Sequence, residues 1–254
     1  MKKQMGKYLY CVIKEKIPKK FDILGQDGKK VYIINQGNLA IAVSDTSKKD
    51  FPFIKEYLTG HQKAIEGVMR QGYDVLPVRF GTVAKSTEDI RKKILKAKRK
   101  EFLETFPIIA GRIELGLRAF WKDMSAIFQE IVAENRAIQM VRKEARKNPN
   151  QFQVAAVGEL VQKALDTKRE IEAQKILNPL KKLAVDFVER ELLRHREIMQ
   201  DSMIFSSAFL VPKEQEQKFD KRMQALIRKQ SEKIKFIYIG PIPPFNFVEL
   251  HIVV

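Results

Sequence analysis

Residues 30–44 have the sequence KVYIINQGNLAIAVS, which decides the architecture of the first part of the chain. Two runs rich in β-branched and other apolar residues, 30–35 and 39–44, flank a short turn, 36–38, that contains a glycine. Two such runs separated by a few residues with glycine are typical of a β-hairpin. The sequence therefore predicts two antiparallel strands in this stretch.

The segments on both sides extend this hairpin into an α+β unit. The apolar run 8–13 predicts an earlier strand, and residues 75–80 predict a later one. Pro77 has no backbone N–H for a central ladder, so the later strand is expected at a sheet edge or a bulge. Before it, Asp50 is the expected N-cap of a helix whose apolar residues recur at helical spacing. The predicted order is βββαβ, an N-terminal α+β domain in residues 1–84.

The rest of the chain predicts a second α+β domain, residues 85–254, with long helices between its strands. Strands are expected at 112–121, 203–211 and 235–239, and helices at 87–109, at 212–230 and within 123–199. Asn148-Pro149-Asn150 and Asn178-Pro179 each pair a good N-cap with a residue suited to the first helical turn, so 123–199 is expected to hold three helices. This order favours a ferredoxin-like sheet with a large helical insertion.

The net charge of +17 is concentrated in the first part of the 254-residue chain. Residues 1–147 hold 31 basic and 17 acidic residues, which leaves +14 there. The densest basic run lies on the predicted helix 87–109, whose apolar residues follow helical spacing and leave a basic outer face. The candidate residues of this face are Arg91, Lys92, Lys93, Lys96, Arg99 and Lys100. The face is either a solvated surface or a binding surface for an anionic partner, whether nucleic acid, a membrane surface or an acidic protein.

No motif in the sequence points to catalysis, nucleotide binding or metal binding. Neither GxxxxGK[ST] nor GxGxxG occurs, and the three histidines are far apart. Cys11 is the single cysteine and is expected to be a small buried residue. His61 lies on the apolar face of its predicted helix and is expected to be a hydrogen-bonded core residue. We therefore expect a non-enzymatic cytoplasmic protein with no cofactor, no metal and no membrane span.

Several segments together resemble the gas vesicle protein F and L family, the accessory proteins of gas vesicle formation. They follow the family's order and cover nearly the whole chain: residues 8–13, His61, VLPVRFGT at 75–82, AFLV at 208–211 and GPIPPFNFV at 240–248. The sequence departs from the family pattern at Ile242 and Phe245, where Trp and Tyr are more frequent.

This resemblance implies a minor structural or assembly component of the gas vesicle, located in the cytoplasm in association with it. The implied partners are the apolar shell protein and other gas vesicle accessory proteins. Shell subunits expose apolar surface and strand edges before assembly, and these need temporary cover. We hypothesise a contact through a sheet edge or an apolar groove near the proline-rich segment. The candidate partner-binding residues are Arg79, Phe80, Ile242, Pro243, Pro244, Phe245 and Phe247.

Other roles compete with these interpretations. Arg79 is expected either in a buried salt bridge that links the two domains or in a partner contact. Ile242, Phe245 and Phe247 either contact a partner or pack the last segment onto the core. A different class of function also stays open, a basic protein that binds nucleic acid or an anionic surface through helix 87–109.

Overall fold

The computed structural model describes residues 5–147, 151–190, 202–248, 250 and 252 of the chain. The fold is mixed, with helices and sheets in both parts of the chain. The chain divides into two compact units, unit 1 with residues 1–114 and 240–254, and unit 2 with residues 115–239. Each unit is described by itself below.

Unit 1 is built on a six-stranded sheet. Its strands are β1 (Gly6–Ile13), β2 (Lys20–Leu24), β3 (Lys30–Gln36), β4 (Leu39–Thr46), β5 (Leu76–Pro77) and β6 (Val83–Ala84). The strand order is β2-β3-β4-β1-β5, and β6 also pairs with β1. All these pairings are antiparallel, as hairpin connections require.

The predicted hairpin is confirmed as β3 and β4. Gln36 pairs with Leu39, and Gly37 adopts a φ of 64° in the tight turn between them. That left-handed conformation favours glycine because it carries no Cβ. The sequence prediction missed β2, which pairs with β3 only at Lys20 and Leu24 and is irregular between them. A short, charged edge strand of this kind carries little periodic signal.

The helix α1 (Lys55–Arg70) packs its buried face on one side of this sheet. The predicted N-cap, Asp50, is wrong. The helix begins five residues later with Ile54 at the N-cap position, because Phe51 and Pro52 form a preceding turn in which Pro52 O accepts the Ile54 N–H at 2.8 Å.

A second helical layer covers the other side of the sheet. It consists of α2 (Thr87–Asp89), a π-helix (Ile90–Lys96) and α3 (Arg99–Ile109). Ser86 caps the start of this layer, since its Oγ accepts the Asp89 N–H at 3.1 Å. The buried residues of this layer share a core with residues of β1 and β4. They are Ile90, Ile94, Leu95, Phe102, Phe106 and Ile109. The predicted boundary between independently folding domains, at residue 84, stays a prediction.

Unit 2 holds most of a four-stranded sheet with the long helices of the chain. The strands are β7 (Arg112–Trp121), β8 (Asp186–Arg190), β9 (Met203–Pro212) and β10 (Ile234–Ile242), in the order β10-β7-β9-β8. The helices are α4 (Met124–Glu134), α5 (Arg136–Lys147), α6 (Gln151–Lys181) and α7 (Glu216–Gln230). The predictions for β7, β9, α7 and β10 agree with these bounds within a few residues.

Two predictions within 123–199 are wrong. No helix begins at Asn178-Pro179, because α6 continues to Lys181 with Pro179 inside its last turn. Pro179 removes one backbone N–H donor from the helix. Burial of Ile176 and Leu180 in the same turns favours the helix and outweighs this loss. Residues 186–190, predicted as helix, form β8 on the edge of the sheet beside β9. The predicted breaker at 148–150 and residues 191–199 lie outside the described residues.

Candidate functional site

The segment 75–82, VLPVRFGT, runs antiparallel along β1. Its first part forms β5, which is a terminal strand of the sheet path, as the proline predicted. Beyond β5, the Val78 N–H donates to Tyr10 O at 2.8 Å. Farther along, the Leu9 N–H donates to Thr82 O at 3.0 Å. The backbone of the motif is therefore held to the centre of unit 1.

His61 joins α1 to both β1 and this motif. Its Nε2 lies 3.1 Å from Val78 O and its Nδ1 lies 3.0 Å from the Tyr8 hydroxyl. Because a carbonyl only accepts, Nε2 carries the proton and Nδ1 accepts from Tyr8. The Tyr8 oxygen in turn accepts the Gly81 N–H at 3.1 Å. Burial lowers the pKa of His61 to about 4, so the imidazole is neutral near pH 7 and His61 is the expected core histidine.

Phe80 belongs to an apolar patch at the start of α1. Its ring packs edge-on against the ring of Phe53, with centroids 5.0 Å apart, and Phe53 is 74% exposed. Ile54, which directly follows Phe53 in the sequence, and Leu58 are also exposed. We call Phe53, Ile54, Leu58 and Phe80 the Phe53 patch. Sequence reasoning found only Phe80. The missed signal was FPFI at 51–54, a cluster of large apolar residues before the amphipathic helix.

Arg79 does not form the buried salt bridge that was one expectation. Its side chain is exposed, and no carboxylate in the described part of the chain lies within ion-pair distance of it. Its carbonyl accepts from Thr82 Oγ1 at 2.7 Å, which closes a tight turn. Arg79 is thus exposed in the turn, directly before Phe80 in the sequence.

The proline-rich segment is anchored on a buried carboxylate. The Asn246 backbone N–H donates to Glu114 Oε2 at 2.8 Å, and the Asn246 side-chain amide donates to Glu114 Oε1. Glu114 is only 1% exposed. The segment also folds on itself, with the Phe245 N–H donating to Pro243 O at 2.7 Å. These contacts fix the conformation of residues 243–246.

The candidate residues of this segment differ in exposure. Pro243 and Pro244 are buried, and Phe245 packs against the core that contains Tyr8 and Phe51. The packing alternative therefore applies to Phe245. Ile242 and Phe247 are half-buried, and their contact with a partner stays a prediction.

The two motifs meet in unit 1 although residues 83–239 separate them in the sequence. Val78 forms a parallel bridge with Leu250. Val248 and Leu250 are buried in the same core as Leu76 and Val78. The VLPVRFGT segment and the proline-rich segment are thus parts of one structural site.

Most lysines of the predicted basic face are paired along the helix. Lys92 contacts Glu88 at 2.8 Å and Lys93 contacts Asp89 at 2.5 Å. The pair Lys100 and Glu104 is looser, at 3.9 Å. For these lysines a solvated face accounts for the charge, since exposed ion pairs of this kind contribute little to stability. Arg91, Lys96 and Arg99 contact no carboxylate among the described residues.

Unit 2 has a groove of about 940 Å³ between α4, α6 and the end of α7. Lys168 lies in it, 3.1 Å from Glu130 and 3.0 Å from Glu134. Burial alone would lower the pKa of Lys168, but the hydrogen bonds to Glu134 and Glu130 outweigh it and raise the pKa. Hydrogen bonds from Lys233 and Lys168 lower the pKa of Glu130. Lys168 and Glu130 are thus each held in the charged form, which is unsuited to proton transfer near neutral pH.

Within the described ranges, no group of three or more His, Cys, Asp or Glu side chains is arranged to hold a metal ion. Cys11 is fully buried, and its burial raises the pKa of the thiol, so it matches the expected inert core cysteine. Among the same residues, no helix combines the length and the apolar character needed to cross a bilayer.

Comparison with known proteins gives a consistent match over the whole chain. The model of the family described as gas vesicle synthesis protein GvpL/GvpF matches residues 6–249. Gas vesicle protein F of Nostoc sp. is 26% identical over 247 residues, covering 96% of this chain and 98% of the relative. Crystal structures of GvpF from Anabaena sp. and Microcystis aeruginosa, each 26% identical, superpose with TM-scores of 0.81 and 0.80. The first covers 97% of both chains, and the second covers 96% of this chain and 99% of the other. These relatives are gas vesicle proteins, and nothing in the matches supports nucleic-acid binding.

Proposed function

Because the chain belongs to the GvpL/GvpF family of gas vesicle synthesis proteins, we propose that it is a non-enzymatic assembly or minor structural component that binds the gas vesicle shell protein. The observation that carries this proposal is the family match over residues 6–249, which includes both segments of the candidate site. In this role the protein acts in the cytoplasm at the growing vesicle, together with other gas vesicle accessory proteins.

The chemistry of the shell explains why such a protein is needed. A subunit that builds a water-repelling wall exposes apolar surface and unpaired strand edges until it is incorporated. Those surfaces aggregate unless a partner covers them. A helper protein must therefore offer an apolar surface of its own that is accessible before the shell closes.

The Phe53 patch is the surface we assign to this contact. It presents an aromatic side chain that is 74% exposed, and aromatic residues are enriched at the energetic centre of protein interfaces. Arg79 lies in sequence next to Phe80 and is also exposed, so a cation flanks the apolar residues. Arginine is likewise enriched at such centres.

Within the Phe53 patch, Phe80 has little freedom to lose on binding. Phe80 packs against His61, with ring centroids 5.7 Å apart, and His61 is held by Tyr8 and Val78. Side chains that are ordered before association lose less conformational entropy when the partner binds. This supports a role for the buried network in holding the contact surface.

Substitution of Phe53 tests this proposal. Phe53→Asp removes the most exposed ring and places a charge in the patch, so co-purification of the shell protein with the chain is expected to fall about tenfold or more, as for loss of an interface anchor. Met140→Asp is the matched control, because Met140 is 71% exposed on α5 in unit 2. It is expected to leave co-purification unchanged.

Two results would count against the proposal. If the unaltered chain retains no shell protein, the proposed function fails. If Phe53→Asp and Met140→Asp both retain it fully, the function stands and the assigned surface is wrong.

We also propose two domains, the second with a ferredoxin-like sheet that carries a large helical insertion. The order β10-β7-β9-β8 and the chain sequence of strand, helices, two strands, helix and strand support this arrangement. The α4 to α6 helices form the insertion.

A further inference from the structure

The basic helical segment 87–109 contains two arginines that differ from its lysines. Lys92, Lys93 and Lys100 pair with carboxylates one turn away on the same segment. Arg91 and Arg99 instead reach the turn between β3 and β4. Two of the unpaired cations of the segment, Arg91 and Arg99, therefore lie on the side of that turn.

Both arginines are close to the hairpin turn. Arg91 Nε donates to Asn35 O at 3.3 Å. Arg99 Nη1 lies 3.6 Å from the position that a Cβ on Gly37 would occupy. The intervening residues form the π-helix, a rare geometry that is frequent at functional sites. Two guanidinium groups are thus placed at one turn, where they suit bidentate contacts with carboxylates.

The loop between β1 and β2 joins this surface through Asn35. The Asn35 side-chain amide donates to Lys16 O. Lys16 and Ile17 are both exposed, and the exposed fraction of Ile17 is 71%. Glu15 does not neutralise Lys16. Its carboxylate accepts the backbone N–H groups of Lys16 and Ile17, and the hydroxyl of Tyr73 at 2.7 Å. The loop is therefore fixed with a cation and an aliphatic side chain in solvent.

We propose that Lys16, Ile17, Arg91 and Arg99, here called the Asn35 surface, bind an acidic segment of a partner protein that also carries apolar residues. Charge complementarity selects an acidic partner, since Lys16, Arg91 and Arg99 all lie at or beside Asn35 and Gly37. The acids that precede Lys16 and Arg91 in sequence, Glu15 and Glu88, are bonded elsewhere. Ile17 favours a protein, because a nucleic-acid backbone offers it no apolar counterpart. Repulsion between two chains that each carry +17 disfavours a second copy of this chain.

This surface is separate from the Phe53 patch, and the inference does not rest on the proposed function. The test uses the full chain and a fluorescein-labelled peptide of repeating Glu-Glu-Leu units, with binding read as fluorescence anisotropy at about 0.1 M salt. The double variant Arg91→Gln/Arg99→Gln is compared with Lys92→Gln/Lys100→Gln. The two doubles remove the same charge from the same helical segment, so general electrostatic attraction falls equally in both.

We expect the arginine double variant to weaken binding about tenfold and the lysine double variant less than twofold. Ile17→Ser is expected to weaken binding of the Glu-Glu-Leu peptide but not of a peptide of glutamate alone. Equal losses in the two double variants would overturn the proposal. So would tighter binding of single-stranded DNA or of phosphatidylserine vesicles than of the peptide, because either would identify a different partner. Circular dichroism of each variant verifies the fold.

Discussion

At the scale of single residues, His61 organises the candidate site. Its two ring nitrogens are both used, one by the carbonyl of Val78 and the other by the hydroxyl of Tyr8. The apolar helical spacing around His61 was sufficient to predict a buried histidine. The partners could not be predicted, because they lie on β1 and on the VLPVRFGT segment, which approach only in the folded chain. Phe53 was missed for a related reason, since exposure of an aromatic residue is not encoded in its local pattern.

The His61 network makes stability depend on pH. The folded-state pKa of about 4 lies below the unfolded value of 6.5, so the unfolded chain binds the proton first as pH falls. The contribution of His61 to the free energy of unfolding is fully present above the pKa of the unfolded chain. It is lost progressively as the pH falls from about 6.5 to about 4. We expect His61 to account for a loss of about 3 kcal/mol of unfolding free energy over this range.

Urea denaturation at several pH values measures this contribution when the unaltered chain is compared with His61→Gln. The variant keeps a polar group but does not titrate, so its unfolding free energy is expected to vary less with pH. Identical pH dependence in the two proteins would contradict the assigned role. Circular dichroism at neutral pH establishes that both are folded before the comparison.

At the scale of elements, the sequence predicted those with strong periodic patterns. The β3–β4 hairpin, α1, β7 and β9 all have long apolar patterns with clear turn signals. The strands β2 and β8 were missed because each is a short edge element whose identity depends on pairing with a neighbour. The C-terminal end of α6 was also predicted too early. Proline disfavours a helix interior, but burial of the residues around Pro179 favours the helix and outweighs that preference.

The attachment of the proline-rich segment is an element-scale property that depends on Glu114. Glu114→Ala removes the acceptor for the Asn246 backbone and side-chain donors, and loss of these partners costs about 1–3 kcal/mol. We therefore expect faster limited proteolysis within residues 240–248 and faster hydrogen exchange of the Asn246 amide. Glu104→Ala, an exposed glutamate paired loosely with Lys100, serves as the control and is expected to change neither rate. Unchanged exchange in Glu114→Ala would show that the segment is held by other contacts.

At the scale of the whole molecule, the two family motifs illustrate the limit of sequence reasoning. Their order along the chain was sufficient to identify the family resemblance. Val78 of one motif and Val248 of the other are buried in the same core, and an isolated bridge joins Val78 to Leu250, just beyond the second motif. No local pattern specifies this contact between distant segments. The net charge could likewise be interpreted only with the structure. Lysines of the basic segment are paired with carboxylates on the same segment, whereas Arg91 contacts the hairpin.

Vesicle formation in cells that lack this chain tests whether the protein and its Phe53 patch are needed to build gas vesicles. Cells deleted for its gene are resupplied with the unaltered chain, with Phe53→Asp or with Met140→Asp, and vesicles are counted by electron microscopy. We expect the unaltered chain and Met140→Asp to restore gas vesicles, and Phe53→Asp to leave few or none although it accumulates to the same level. Normal vesicles in the deleted cells without any resupplied chain would contradict a role of this protein in gas vesicle formation.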